Sequence, residues 1–196
     1  MKQVLIIHGG ESYSSHNTYL NHLKTSDIDY ERLKPQRKWK SWIAEQLPDT
    51  DVLLPTFPNG HNASYNEWRI YFEKLIPFFG NNIQLVGHSL GAMFLAKYLQ
   101  EQPLTQPVRR LILIAGSYND RLPDESSDFL ISSATDLGKS AEEVHLFHSK
   151  DDPVVPFAEL GKFQSDLPGA ISHTFEDHGH FNGETFPALL EILKQK

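Results

Sequence analysis

The chain has 196 residues, 39% hydrophobic and 22% charged, with a formal net charge of −7 and no cysteine. That length fits a single domain (1–196) with a sizeable core, in an ordinary globular composition. Without cysteine there is no disulfide, thiolate-held zinc, iron–sulfur cluster or thiol catalysis, and an acidic balance with no Lys/Arg cluster argues against nucleic-acid binding.

The N-terminus reads Met1-Lys2-Gln3 and enters Val4-Leu5-Ile6-Ile7 at once, a run too short for a signal-peptide core. No apolar stretch approaches membrane-spanning length. A cytoplasmic protein without membrane contact is expected. The apolar run 4–7 is the first predicted strand and closes on His8-Gly9-Gly10. A polar segment, 11–34, follows and reads as loop. The locally basic stretch 32–40 reads as a solvated helix face. Trp39, Trp42, Ile43 and Leu47 then recur at helical spacing. A second strand is predicted at 51–54. After it, Tyr65, Trp68, Ile70, Phe72, Leu75 and Ile76 form a helix stopped by Pro77.

The third strand, 83–86, runs into Gly87-His88-Ser89-Leu90-Gly91 and a helix over 92–99. This is a G-x-S-x-G pentapeptide between strand and helix, where a sharp turn holds one serine hydroxyl proud of a sheet edge. The two glycines are needed because a side chain at either would strike the neighbouring strand or helix. Read alone, the motif favours a nucleophile, though a strand-to-helix turn with two glycines can be purely architectural. A fourth strand at 111–115 leads to a second loop-rich region, 116–141. A fifth, 144–148, leads to Ser149-Lys150-Asp151-Asp152-Pro153-Val154-Val155-Pro156. Phe157, Leu160, Phe163 and Leu167 mark a further helix. The sixth strand, 171–175, leads to Glu176-Asp177-His178-Gly179-His180-Phe181, and Pro187 opens the last helix.

This alternation predicts an α/β fold: a parallel sheet, its strands buried on both faces, covered by helices on each side. The loops after the strands gather at the C-terminal edge of the sheet, where ligands bind in such folds.

A serine hydroxyl needs a base to become a nucleophile, and the base needs an orienting carboxylate. Asp151 and Asp152 compete for the carboxylate. Asp152 is preferred, because Pro153 cannot extend a helix through it and Val154-Val155-Pro156 can anchor the turn. His178 and His180 compete for the base. His180 is preferred because an aromatic follows it and a glycine precedes it. Alone, the aspartates read as a capped turn and His178 as a loop histidine. A metal site built with His173 lacks the ligand spacing of zinc proteins, so no metal or cofactor is expected. The His8-Gly9-Gly10 loop and the residue after the serine are placed to give backbone N–H groups to an oxyanion. The candidates are Gly10, or its neighbour Glu11, and Leu90.

In this order of roles the sequence resembles the α/β-hydrolase superfamily, and most closely the small serine hydrolases of the retinoblastoma-binding protein 9, or YdeN-like, family. The resemblance spans nearly the whole chain. It rests on Gly-His-Ser-Leu-Gly at 87–91, Ser-Lys-Asp-Asp-Pro-Val-Val-Pro at 149–156 and Gly-His-Phe at 179–181. It implies a triad of Ser89, Asp152 and His180. It also implies a six-stranded parallel sheet in order 2-1-3-4-5-6, a three-layer sandwich with no large cap domain. The segment 11–34 looks longer than the family's usual first loop, which makes Tyr13, Tyr19 and Tyr30 candidates to line the acyl or alcohol pocket.

The reading that follows is a carboxylesterase acting on small esters through an acyl-enzyme. Its shallow pocket would be roofed by 11–34, the 55–60 loop and 116–141. The alternatives are a non-catalytic protein- or ligand-binding module on the same fold, and an acyltransferase or amidase using the same triad. A protein partner is not readable from the sequence.

Overall fold

A computed structural model describes residues 2–195; Met1 and Lys196 lie outside the described residues. Six strands, β1 (Lys2–Ile7), β2 (Thr50–Leu53), β3 (Ile83–His88), β4 (Val108–Ile114), β5 (Ala141–Ser149) and β6 (Ile171–Phe175), form one sheet in the order β2-β1-β3-β4-β5-β6. Every neighbouring pair is parallel. The strand order and the absence of a cap domain are those the family resemblance implies.

Alternate residues of each central strand enter two separate cores. Leu5, Ile7, Leu85, Leu111, Leu113 and Leu146 face one core. It is closed by α3 (Tyr65–Leu75), α4 (Leu90–Glu101), α5 (Leu137–Ser140) and α6 (Ala158–Asp166). Val4, Ile6, Val86, Ile112, Ile114 and Phe147 face the other, closed by α2 (Trp39–Gln46) and α7 (Pro187–Lys194). A strand buried on both faces is continuously apolar for this reason. The exceptions are β2 and β6, the edge strands, whose residues are only half-buried or exposed. Burial of all six strands on both faces was too strong an expectation, because an edge strand has a neighbour on one side only. The central helix α4 buries eight of its residues, among them Phe94, Leu95, Tyr98 and Leu99. Each such large apolar side chain contributes about 1.5–3 kcal/mol.

The segment 11–34 is not all loop. It carries α1 (His16–Thr25), capped by Ser15, whose hydroxyl accepts the Thr18 N–H at 3.1 Å. None of its residues is buried, which is why no apolar periodicity announced it. The basic stretch 32–40 is solvated over 33–38, as read, and departs from that reading only at its end, where Trp39 is buried. Lys40 lies at the start of α2 and turns inward to within 3.2 Å of His88; the side chain of Arg32 is outside the described part.

Strand register aligns the C-terminal ends. Ile7 stands beside Gly87, His88 beside Ile114, Ile114 beside Phe147, and Ser149 beside Phe175. The loops that begin at residues 8, 89, 115, 150 and 176 therefore leave one edge in a row.

Candidate active site

Ser89 stands where β3 turns into α4, with φ 55° and ψ −122°. That is a strained conformation for a residue with a side chain, costing about 1–3 kcal/mol. It is held from both sides: the Ser89 N–H donates to Ile114 at 2.8 Å, and the Ser89 carbonyl accepts from Ala92 and Met93 at 2.9 and 3.1 Å. The flanking glycines are sterically required. A Cβ at Gly91 would stand 2.6 Å from the carbonyl oxygens of Ile7 and His8, and one at Gly87 would stand 2.6 Å from the backbone of Ala92.

The loop after β1 is pressed against this turn. A Cβ at Gly9 would lie 3.0 Å from Ser89 Cβ and 3.5 Å from its Oγ. The Glu11 N–H is engaged by the Gly60 carbonyl at 2.9 Å, which removes Glu11 as a donor. The N–H groups of Gly10 and Leu90 donate to no protein acceptor among the described residues. His8 organises this loop, a task its sequence position did not reveal. Its Nε2 accepts the Phe57 N–H at 2.8 Å, so its proton sits on Nδ1, which donates to the Gly9 carbonyl at 2.5 Å. The two ends of a peptide unit point in opposite directions. Turning the Gly9 carbonyl toward His8 therefore turns the Gly10 N–H away from it.

Asp152 and His180 are brought together. The imidazole Nδ1 lies 2.8 Å from Oδ2 and 3.0 Å from Oδ1 of Asp152. Oδ1 also accepts the N–H groups of Val154 and Val155 at 2.8 and 3.0 Å, fixing the carboxylate. Burial alone would raise this carboxyl. The hydrogen bonds from His180 and from the Val155 and Val154 N–H groups outweigh burial and hold it below the usual carboxylate range. Asp151 points elsewhere and accepts from Ser149 Oγ and the Gly179 N–H at 2.5 and 2.8 Å. His178 is exposed, with its ring against Phe175 at 4.3 Å between centroids. The His180 loop is anchored instead by Phe181, buried in the second core. The Ser89 hydroxyl and the His180 ring are not hydrogen-bonded to each other in this structure. Substrate-free sites commonly close that contact only in the complex.

Ser89 opens into a cleft of about 420 Å³. It is lined by Gly10, Leu90 and Met93, by 117–129 and 153–156, and, from the segment 11–34, by Glu11 and Ser12. The turn after Asp152 thus contributes a wall that the sequence did not suggest. The 55–60 loop instead braces Gly10 from behind. None of Tyr13, Tyr19 and Tyr30 lines this cleft. Tyr13 and Tyr19 line a neighbouring cavity, and Tyr30 is exposed.

A second unanticipated residue shapes the wall. Glu159, on α6, is buried, and its Oε2 accepts from Ser117 Oγ and the N–H groups of Tyr118, Asn119 and Asp120 at 2.8–3.1 Å. Lys162 pairs with its other oxygen. Burial would raise this carboxyl, but Lys162 and the three N–H groups pull it down to about 2. A lone acid on an apolar helix face, between Phe157 and Leu160, was the available signal. Among the described residues no three His, Asp or Glu side chains are grouped to hold a metal, and no helix is long and apolar enough to cross a membrane.

The serine hydrolase family model matches residues 30–191. The chain belongs to that family. Among its relatives, the serine hydrolase RBBP9 of Rattus norvegicus is 27% identical over 164 residues, covering 80% of this chain and 84% of that protein. The Bacillus subtilis protein YdeN is 26% identical over 205 residues, covering 98% and 94%. The crystal structure of the B. subtilis ydeN product superposes with a TM-score of 0.77 at 22% identity, covering 98% and 97%. Est1E of Butyrivibrio proteoclasticus, solved with ferulic acid bound, superposes with a TM-score of 0.61 at 13% identity, covering 99% and 87%. These superpositions show the shared α/β-hydrolase fold.

Proposed function

We propose that this serine hydrolase cleaves small carboxylic esters through an acyl-enzyme on Ser89. The observation that carries the reading is the Asp152–His180 pair, at 2.8 Å, on the same sheet edge as a serine held at φ 55°. With Nδ1–H committed to Asp152, the proton-accepting nitrogen of His180 is Nε2. Ser89 Oγ attacks the ester carbonyl and passes its proton to that nitrogen. The tetrahedral oxyanion is received by the N–H groups of Gly10 and Leu90; one such donor is worth roughly 3–4 kcal/mol in the transition state. The acyl–oxygen bond breaks as His180 returns the proton to the leaving alcohol. Water, deprotonated by His180, then releases the acid and restores Ser89. Asp152 keeps the imidazole in the productive tautomer throughout. No step calls on a metal or an organic cofactor. The cleft of about 420 Å³ suits short acyl groups.

The test is labelling by a fluorophosphonate probe beside turnover of p-nitrophenyl esters of increasing acyl length. Wild type is expected to label and to favour short chains, and Ser89→Ala to do neither. Labelling of Ser89→Ala, or a well-folded wild type inert to the whole ester panel, would overturn the reading. The second outcome would favour a non-catalytic module.

A further inference from the structure

His88, the second residue of the pentapeptide, alternates away from Gly87 and points into the α2/α7 side of the sheet, where it is buried. Both of its ring nitrogens are engaged. Nε2 lies 2.8 Å from the backbone oxygen of His180, and Nδ1 lies 3.2 Å from Nζ of Lys40. A carbonyl oxygen can only accept, so the proton sits on Nε2 and Nδ1 accepts from the lysine. Burial, then the Lys40 and His180 charges, keep the ring neutral by holding it well below the usual histidine value.

Lys40 is an unusual residue to find there. It is partly enclosed, has no carboxylate partner among the described residues, and rests over the Trp39 ring at 4.5 Å. Burial first, and then Lys38, draw it down to about 8. An enclosed cation without a counter-ion costs stability that an apolar residue of similar length would not. The same first turn of α2 grips the histidine loop twice more. The Trp39 indole N–H donates to the Phe181 carbonyl at 2.8 Å, and the Trp39 backbone N–H donates to Gly183 at 3.2 Å. Phe181 sits at φ 51°, a conformation that persists in a residue with a side chain only when its surroundings hold it.

We propose that Lys40 and His88 are positioning residues for His180: the lysine, donating to Nδ1, holds the His88 ring in the orientation and tautomer that the His180 carbonyl requires, and His88 holds that carbonyl so that the imidazole stays on Asp152. This rests on the reading of Ser89 and His180 as nucleophile and base. It extends the machinery to α2, outside the loops that carry the reacting groups.

The experiment compares Lys40→Met, His88→Leu and His88→Gln with wild type in fluorophosphonate labelling rate, kcat, KM and melting temperature. Small misplacements of a reacting group cost up to about 100-fold, so Lys40→Met and His88→Leu are expected to lower kcat and labelling roughly 10- to 100-fold. KM should change little, since the loss falls on the transition state. The melting temperature of Lys40→Met should change little, because removing a cation without a counter-ion offsets the loss of the donor to His88 Nδ1. His88→Gln should recover most of the rate, since its amide can accept from Lys40 and donate to His180. A wild-type rate in folded Lys40→Met, or a rate loss that only follows a loss of stability, would overturn the proposal. Nitrogen-15 spectra of histidine-labelled wild type provide a check that needs no variant. His88 should show the neutral Nε2–H tautomer, and an Nδ1–H tautomer would equally overturn it. If the Ser89 reading is what fails, wild type itself will be unlabelled and inert, whatever His88 shows.

Discussion

Asp151 and Asp152 are chemically identical neighbours, and the turn after β5 gives them opposite tasks. Asp151 knits the turn to Gly179 and Ser149, whereas Asp152 faces His180 from a site where its side chain has no exposure. Asp151→Asn keeps the Oδ1 acceptor for both of its partners and should leave kcat close to wild type. Asp152→Asn can still accept from Val154 and Val155, but it presents an amide N–H to Nδ1 and forces the wrong tautomer. We expect kcat to fall by about 10³–10⁴-fold, with melting little changed. A larger loss in Asp151→Asn would exchange the two roles. That Asp152 rather than Asp151 meets His180 was legible from Pro153, which prevents a helix from running through Asp152. The task of His8 was not legible, because its partners, Phe57 and Gly9, meet it only once β1 and the 55–60 loop are folded together.

At the scale of elements, legibility followed burial. α4 and α7 bury faces with helical spacing and were evident in the sequence, whereas α1 buries nothing and was not. It follows that Leu20→Ser and Leu23→Ser in α1 should change unfolding free energy in urea by no more than about 0.5 kcal/mol. Glu159 is the opposite case, a single residue that shapes the whole turn after β4. Glu159→Gln replaces an acceptor of several N–H bonds by a group that is half donor, and should destabilise by about 2–3 kcal/mol. Its pH dependence has a definite sign. The folded carboxyl lies near 2, below its ordinary 4.5. Its contribution is therefore complete above about pH 4.5 and is lost as pH falls toward 2. Urea midpoints measured from pH 6 downward should fall in wild type through that window, and less steeply in Glu159→Gln.

Across the whole molecule, one buried cation ties the sheet to its last helix. The Arg110 guanidinium donates to Glu143 at 2.6 Å, to Gln84 at 3.2 Å, and to the carbonyls of Ile192 and Gln195 at 3.2 Å. It thus joins β3, β4, β5 and the end of α7. Arg110→Ala strands these acceptors and should cost about 3–5 kcal/mol, with α7 the first segment to gain amide exchange. The strand count, the parallel arrangement and the edge that carries the candidate site could be read in advance, because they depend on runs of apolar residues and on the order of loops. Cross-links such as Arg110–Gln84 and Lys40–His88 could not. They join residues 26 and 48 positions apart, and nothing local marks either partner.

Beside the Ser89 cleft, which Glu11, Ser12, Glu125 and Ser126 help to line, runs a short antiparallel strap, a bridge of Tyr13 with Glu125. Two backbone bonds close it: Ser14 N–H to Asp124 at 3.0 Å and Ser126 N–H to Ser12 at 2.9 Å. Each is worth about 0.5–1.5 kcal/mol net, so the unlatched form lies only about 1–3 kcal/mol above the latched one. At that gap it is occupied roughly 1–15 per cent of the time, and loops of this kind exchange in nanoseconds to microseconds. Opening of the strap is therefore a fast motion beside a cleft that already reaches Ser89 in the latched form, and it does not set the pace of turnover. Tightening the strap should therefore leave the saturated rate in place.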